Sequence, residues 1–289
     1  MKVLITGATG QVGRALLRCS PATGVEVMAL GRADLDLTDA NAIAQTIAGL
    51  RPAAVINAAA YTTVDRAETE RDLAYAVNSD AVGALARACA EQGARLVHVS
   101  TDFVFDGALG RPYLPDDVPN PLGVYGASKL EGERHVAAQG KLDWRIVRTA
   151  WVYSADGQNF MLTMLRLFRE RDVVRVVADQ VGTPTSAASL AQFLWRVALE
   201  NGASGIWHFT DAGVASWYDF AVAIYEEAQA LGLVGRRVDV LPITAQEYPT
   251  PARRPAYSVM EKRATIERFG LHPVHWRVRL RDTLQGLKS

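Results

Sequence analysis

The sequence predicts an α/β protein, a doubly wound parallel sheet followed by a smaller second domain. Three observations lead there. Short apolar strands alternate with helices through the first 155 residues, a glycine-rich turn joins the first strand to the first helix, and beyond about residue 155 the alternation gives way to longer amphipathic helices. The strands are near-continuous apolar runs, as in a sheet covered on both faces.

The elements follow in order. Strands are expected over 2–6, 25–30, 53–59, 95–100 and 144–153. Helices are expected over 11–19, 38–50 and 72–93, and in the segment carrying Tyr125 and Lys129. Thr38 or Asp39 caps the second helix, and Gly93 stops the third. The stretch 101–121 is rich in Asp, Gly and Pro and reads as irregular. In the second half, 160–172, 189–200 and 216–232 read as helices and 205–211 as a strand. The Pro-rich stretch 248–258 fits neither a regular helix nor a central strand. The domains expected are 1–155, a dinucleotide-binding unit, and 156–289, mainly a substrate-binding unit, with segments around 175–211 returning to the first. Right-handed crossovers make the first unit Rossmann-type, with ligands beyond the carboxyl ends of the strands.

Composition narrows the partners. The 289 residues carry 31 basic and 31 acidic side chains, and 49% are hydrophobic. A zero net charge argues against nucleic acid or an anionic membrane as the main partner. No apolar run approaches the roughly 20 residues of a membrane helix. The start, MKVLITGATG, is a strand and a turn rather than a secretion signal. Cys19 and Cys89 read as reduced thiols, and a cytoplasmic protein is expected. A monomer and a homodimer both remain open.

The turn GATGQVG places Gly7, Gly10 and Gly13 at G-x-x-G-x-x-G spacing, with Gln11 and Val12 opening the helix. Such glycines let a diphosphate approach the backbone, where its charge sits at a helix N-terminus. After the second strand no acid stands where a ribose 2′-hydroxyl would be bound, and Arg32 could meet a 2′-phosphate instead. NADPH is therefore favoured, with NADH left open. Asp36 and Leu37 are candidate adenine contacts. The small residues Ala58, Ala59 and Ala60, with Tyr61, would let a cofactor lie against the third strand's end.

The stretch VYGASKLEGE puts Tyr125 one helical turn before Lys129, on one face. A cation beside a phenol favours the phenolate, and bringing a tyrosine from about 10 to about 7 takes roughly 4 kcal/mol. Thr101 ends the strand before this helix, at the sheet edge that carries the glycine turn. A hydroxyl, a tyrosine and a lysine around a nicotinamide make a carbonyl reductase.

Taken together, the glycine turn, the Ser/Thr strand end and Tyr-x-x-x-Lys resemble the extended short-chain dehydrogenases/reductases. The longer strings STDFVFDG, PLGVYGASKLEGE, RTAWVY, NFMLTMLRL, DQVGTPT and YPTPARRP resemble, in this order, the dTDP-4-dehydrorhamnose reductases. That resemblance implies reduction of the C4 ketone of dTDP-4-dehydro-L-rhamnose by NAD(P)H. It implies Tyr125 as proton donor, Lys129 on the nicotinamide ribose, and Thr101 on the substrate oxygen. Asp102 and Trp151 would contact the deoxysugar, and Arg253 and Arg254 are candidates for the nucleotide diphosphate. Some members bind magnesium through glutamates at a dimer interface, one of them in the helix after the glycine turn. Here that helix reads GRALLRC, with Arg14 and Ala15 and no acid, so no metal is expected. His272 and His275 lack a convergent carboxylate, and Pro273 breaks any helical pairing between them.

Related dehydratases carry Thr-Asp-Glu, whereas this chain has Thr101, Asp102 and Phe103, which disfavours elimination. The alternatives kept are a reductase of another 4-keto sugar nucleotide and a non-catalytic NADP-binding regulatory subunit, of which the regulatory subunit of methionine adenosyltransferase is the model.

Overall fold

A computed structural model describes residues 1–21, 23–202 and 204–288. In chain order the elements of the first lobe are β1 (Lys2–Thr6), α1 (Gln11–Arg18), β2 (Glu26–Leu30), α2 (Ala40–Leu50), β3 (Ala54–Asn57), α3 (Val64–Ala67) and α4 (Arg71–Tyr75). They continue with α5 (Ala81–Gln92), β4 (Arg95–Thr101), α6 (Val124–Ala137) and β5 (Trp144–Thr149). Then come β6 (Val152–Tyr153), α7 (Phe160–Glu170), β7 (Val173–Val177), β8 (Val181–Gly182), β9 (Thr185–Ser186), α8 (Ala187–Leu199) and β10 (Gly205–His208). The chain closes with β11 (Ala215–Ser216), α9 (Trp217–Ala230), β12 (Asp239–Ile243), α10 (Arg263–Phe269) and α11 (Trp276–Gln285).

The main sheet has six parallel strands in the order β10-β5-β4-β3-β1-β2. Alternate side chains feed two cores. Val3, Ile5, Ile56, Val97 and Val147 pack with residues of α1 and α8 on one face. Leu4, Val55, Leu96 and Ile146 pack with residues of α2 and α5 on the other. Burial on both faces is why these strands read as unbroken apolar runs. Strand order reverses at β1, which lies between β2 and β3, and ligands of such sheets bind beyond the strand ends at that switch.

The C-terminal residues build a second lobe around Tyr153, Met161, Phe168, Phe220 and Trp276. There β7 pairs with β12. Residues of α8 join the first lobe's core, and β10 closes its sheet against β5.

Three elements differ from the sequence reading. The long helix expected over 72–93 contains a π-helical turn at Ala76–Asp80 between α4 and α5. The inserted residue turns Asn78 inward, where its Oδ1 accepts from Tyr61 N (2.8 Å) and its Nδ2 donates to Tyr61 O and Ser128 Oγ. The strand expected over 144–153 breaks between β5 and β6, at Trp151, whose φ of 48° is left-handed. The chain leaves the sheet there to enter the second lobe. The pair β7 and β12 stands where no strand was expected.

Candidate active site

The glycine turn meets the expected requirement for close approach. Gly7 has φ 71°, and a Cβ there would lie 2.6 Å from Ala59 N. A Cβ on Gly13 would lie 2.2 Å from Gly7 O, so this third glycine seats α1 against the turn rather than lining the crevice. The N-cap of α1, Gly10, brings no side-chain hydrogen bond, and the first turn of α1 holds no acid. Its N–H groups are therefore left to a ligand of negative charge.

A crevice of about 870 Å³ runs from this turn across the strand ends. Of the residues singled out from sequence, Gly7, Gly10, Gln11, Val12, Arg32, Asp36, Leu37, Ala58, Ala59, Ala60 and Tyr61 line it. So do Thr101, Asp102, Tyr125, Lys129, Trp151 and Arg254. Arg32 is exposed at the rim. The nearby acid, Asp34, caps its own loop by accepting from Gly31 N at 2.8 Å. Asp36 likewise closes a local turn, accepting from Thr38 N and Oγ1, which holds its carboxyl below the usual range.

Arg253 departs from expectation. It is exposed and lies outside the crevice, whereas Arg254 lines it and is held by Asp65 through paired bonds of 3.0 and 2.8 Å. In an irregular Pro-rich loop no periodicity tells which of two adjacent arginines turns inward. His275 serves as the N-cap of α11, accepting from Arg277 N, and its place in the fold needs no metal. Among the described residues no cluster of three or more His, Cys, Asp or Glu could hold a metal ion, and no helix is long and apolar enough to cross a membrane.

Helix α6 delivers Tyr125 and Lys129. It starts at Gly123, where the free Val124 N–H donates to Glu68 Oε1 at 2.9 Å. It packs very close to its neighbours. A Cβ on Gly126 would lie 2.1 Å from Phe103 O, and one on Gly132 would lie 2.2 Å from Asn78 O. The Tyr125 ring stands edge-on to Phe103, centroids 5.6 Å apart, and packs in a cluster with Ala67, Ala74 and Val124. The Thr101 side chain acts on its hydroxyl and favours the phenolate. Thr101 Oγ1 also lies 3.1 Å from Asp102 Oδ1 and accepts from Phe103 N.

The depressed phenol expected from the Tyr–Lys spacing is not the state of this structure. Burial pushes Tyr125 up to about 12; the Thr101 hydrogen bond pulls it down, and the Asp102 carboxylate raises it further. Lys129, 1% exposed, gives its amino group to Val99 O at 2.7 Å, and burial brings it down to about 8. The helix does set both residues on one face. Desolvation, however, disfavours the charged form of each and is the largest influence on both. The phenol is thus firmly protonated at neutral pH, the form a proton donor needs.

Asp102 is 1% exposed, and burial raises its carboxyl to about 6 against the lowering pull of the Ser258 and Thr101 side chains. The break at Trp151 throws its indole onto Trp217, with ring centroids 3.5 Å apart and planes 7° from parallel. Gly182 makes room, since a Cβ there would lie 2.7 Å from that indole. Trp217, Gln158, Asn159 and Glu70 also line the crevice. Asn159 opens the string NFMLTMLRL, whereas the segments of Trp217, Gln158 and Glu70 carry no motif, and only the docking of the second lobe brings Trp217 and Asn159 to the crevice.

A glycine turn for a diphosphate, with a hydroxyl, a tyrosine and a lysine at the neighbouring strand end, defines a nicotinamide-dependent reductase of the extended short-chain dehydrogenase/reductase class. The model of the RmlD substrate binding domain family matches residues 1–289. A dTDP-4-dehydrorhamnose reductase from Burkholderia thailandensis is 45% identical over 287 residues, covering 96% of each chain. A crystal structure of a dTDP-4-dehydrorhamnose reductase from Clostridium acetobutylicum superposes with a TM-score of 0.94 at 41% identity, covering 100% of both chains. One from Bacillus anthracis, in complex with NADP, superposes with a TM-score of 0.92 at 35% identity, covering 99% of both chains. The chain belongs to the dTDP-4-dehydrorhamnose reductase family.

Proposed function

We propose that this chain reduces the C4 ketone of dTDP-4-dehydro-L-rhamnose to dTDP-L-rhamnose with NADPH, acting in the cytoplasm. The observation that carries the reading is the convergence of Thr101, Asp102, Tyr125 and Lys129 with the glycine turn in one crevice. The site suits the dinucleotide. Gly7 and the uncapped start of α1 would hold the diphosphate, Ala58 to Ala60 would back the cofactor, and Arg32 would meet a 2′-phosphate. When bound, NADPH supplies the hydride delivered to C4.

The chain's own residues handle the charge that grows on the ketone oxygen. Tyr125 gives its phenolic proton to that oxygen, and Thr101 donates a hydrogen bond to it. Lys129 would hold the nicotinamide ribose. Asp102 and the Trp151 face bind the sugar, and Arg254 lies within reach of the nucleotide diphosphate. Phe103 fills the place of a second acid, so the site reduces rather than eliminates.

The test is loss of reduced-nicotinamide absorbance with dTDP-4-dehydro-L-rhamnose, run beside other 4-keto sugar nucleotides and with both coenzymes. Turnover fastest with the rhamnose precursor and NADPH is expected. Coenzyme binding without turnover of any keto sugar would instead mark a regulatory subunit.

A further inference from the structure

Arg254 lines the crevice from the Pro-rich loop, and the hydrogens of its guanidinium can be followed one by one. Nη1 gives one to Asp65 Oδ1 at 3.0 Å and turns its other toward Thr250 Oγ1 and Ala252 O. Nη2 gives one to Asp65 Oδ2 at 2.8 Å. The far end of the fork is thereby filled. What remains is one edge, the Nε hydrogen and the second hydrogen of Nη2, which point the same way. That edge matches two oxygens on one phosphorus. Among the described residues no acid other than Asp65 pairs with Arg254.

Asp65 belongs to α3, a few residues after Ala58, Ala59 and Ala60. Its Oδ1 also accepts from Ala252 N at 3.2 Å, and the Arg254 guanidinium holds its carboxyl below the usual range. Beyond Ala252 the loop backbone has supports of its own. Val181 N donates to Ala256 O and Ser258 N donates to Val181 O, both at 2.8 Å. Gly107 lies so close that a Cβ on it would sit 2.7 Å from Ala256 N. The backbone is thus fixed from elsewhere, and what Asp65 fixes is the long side chain of Arg254. Its rotamer freedom is then lost on folding and not again when a ligand binds.

We propose that Asp65 is a positioning residue that presets Arg254 as a two-pronged donor for the diphosphate of the nucleotide sugar. This rests on the reading of the crevice as a nucleotide-sugar reductase site. Two diphosphates would share that crevice. The coenzyme's has the glycine turn and the uncapped start of α1. The loop of Arg254 continues instead to Ser258, whose side chain acts on the Asp102 carboxyl, and so the arginine belongs to the sugar side.

The probe is dTDP, titrated by calorimetry into the full-length protein saturated with NADP+, without turnover. Asp65→Asn keeps the shape but turns an NH2 toward a guanidinium that needs an acceptor. It is expected to weaken dTDP at least about tenfold and to leave NADPH affinity within about threefold. In turnover it should raise KM for the keto sugar with kcat held within about twofold. Arg254→Gln should weaken dTDP at least as much, and adding Asp65→Asn to it should cost nothing further, since Asp65 acts only through the arginine. Equal losses of dTDP affinity with and without Arg254, or a lowered thermal midpoint with dTDP affinity unchanged, would make Asp65 a mere brace between the lobes and overturn the proposal. So would tighter dTDP binding in Asp65→Asn, or a loss for NADPH as large as that for dTDP. Should Asp65→Asn fail to fold, the Arg254 Nε–H resonance of the unmodified 15N-labelled protein decides, assigned by its loss in Arg254→Lys. It should shift on addition of dTDP, and an unmoved resonance overturns the proposal. An unmodified protein that binds no dTDP would bring down the nucleotide-sugar reading as well, whereas unchanged binding in Asp65→Asn removes the positioning role alone.

Discussion

Replacing Tyr125 by Phe isolates one oxygen atom. The ring's packing survives, since its contacts are the edge-on Phe103 ring and the apolar cluster of Ala67, Ala74 and Val124, none of which needs the hydroxyl. What is lost is the proton donor beside Thr101. The phenol sits at about 12, so the unmodified enzyme keeps it protonated across the working range and no other residue at that position replaces it. General acid catalysis typically contributes 10²–10⁴-fold, which at about 1.36 kcal/mol per decade is roughly 3–5 kcal/mol of barrier. The variant should therefore lose at least about 100-fold in kcat. Its affinity for NADPH, followed by nicotinamide fluorescence, should change by less than about threefold, a shift of about 0.7 kcal/mol. Steady-state absorbance gives the first quantity and a titration the second. A variant that retains more than about a tenth of kcat would remove the phenol from the acid role.

Three further outcomes follow from the packing and the buried charges. Gly132→Ala drives a methyl against Asn78 O, 2.2 Å away, and should cost about 1–3 kcal/mol, seen as a lowered thermal midpoint with α6 displaced. Gly7→Ala meets both a left-handed φ and the Ala59 backbone at 2.6 Å, so it should weaken NADPH binding at least about tenfold, measured by the same fluorescence titration. Asp102 keeps its proton up to about 6 in the folded chain, against 3.8 for the ordinary group. The native state therefore binds the extra proton between these values, and stability falls as pH rises through about 6, by about 3 kcal/mol from this one buried group. Asp102→Asn should flatten that part of the curve in urea unfolding measured at about pH 4.5 and about pH 7.5. An unchanged slope would show the carboxylate to be better solvated than its burial implies.

What the sequence determined by itself was whatever local periodicity encodes. The parallel strands β1, β3, β4 and β5 were legible because both their faces are largely buried, which leaves mostly apolar runs. The glycine turn and the shared face of Tyr125 and Lys129 were legible because close backbone approach and helical spacing are properties of a few adjacent residues. Other features were decided by contacts between residues far apart in the chain. The π-helical turn that aims Asn78 inward looks like ordinary helix in sequence, since one extra residue per turn leaves no compositional mark. The turn at Trp151, the inward choice of Arg254 over Arg253, and the stacking of Trp151 on Trp217 exist only once the second lobe has docked. The direction of the Tyr125 shift belongs to the tertiary structure too. Spacing brings a cation near a phenol, but only burial, which comes from the whole fold, sets what a charge costs there.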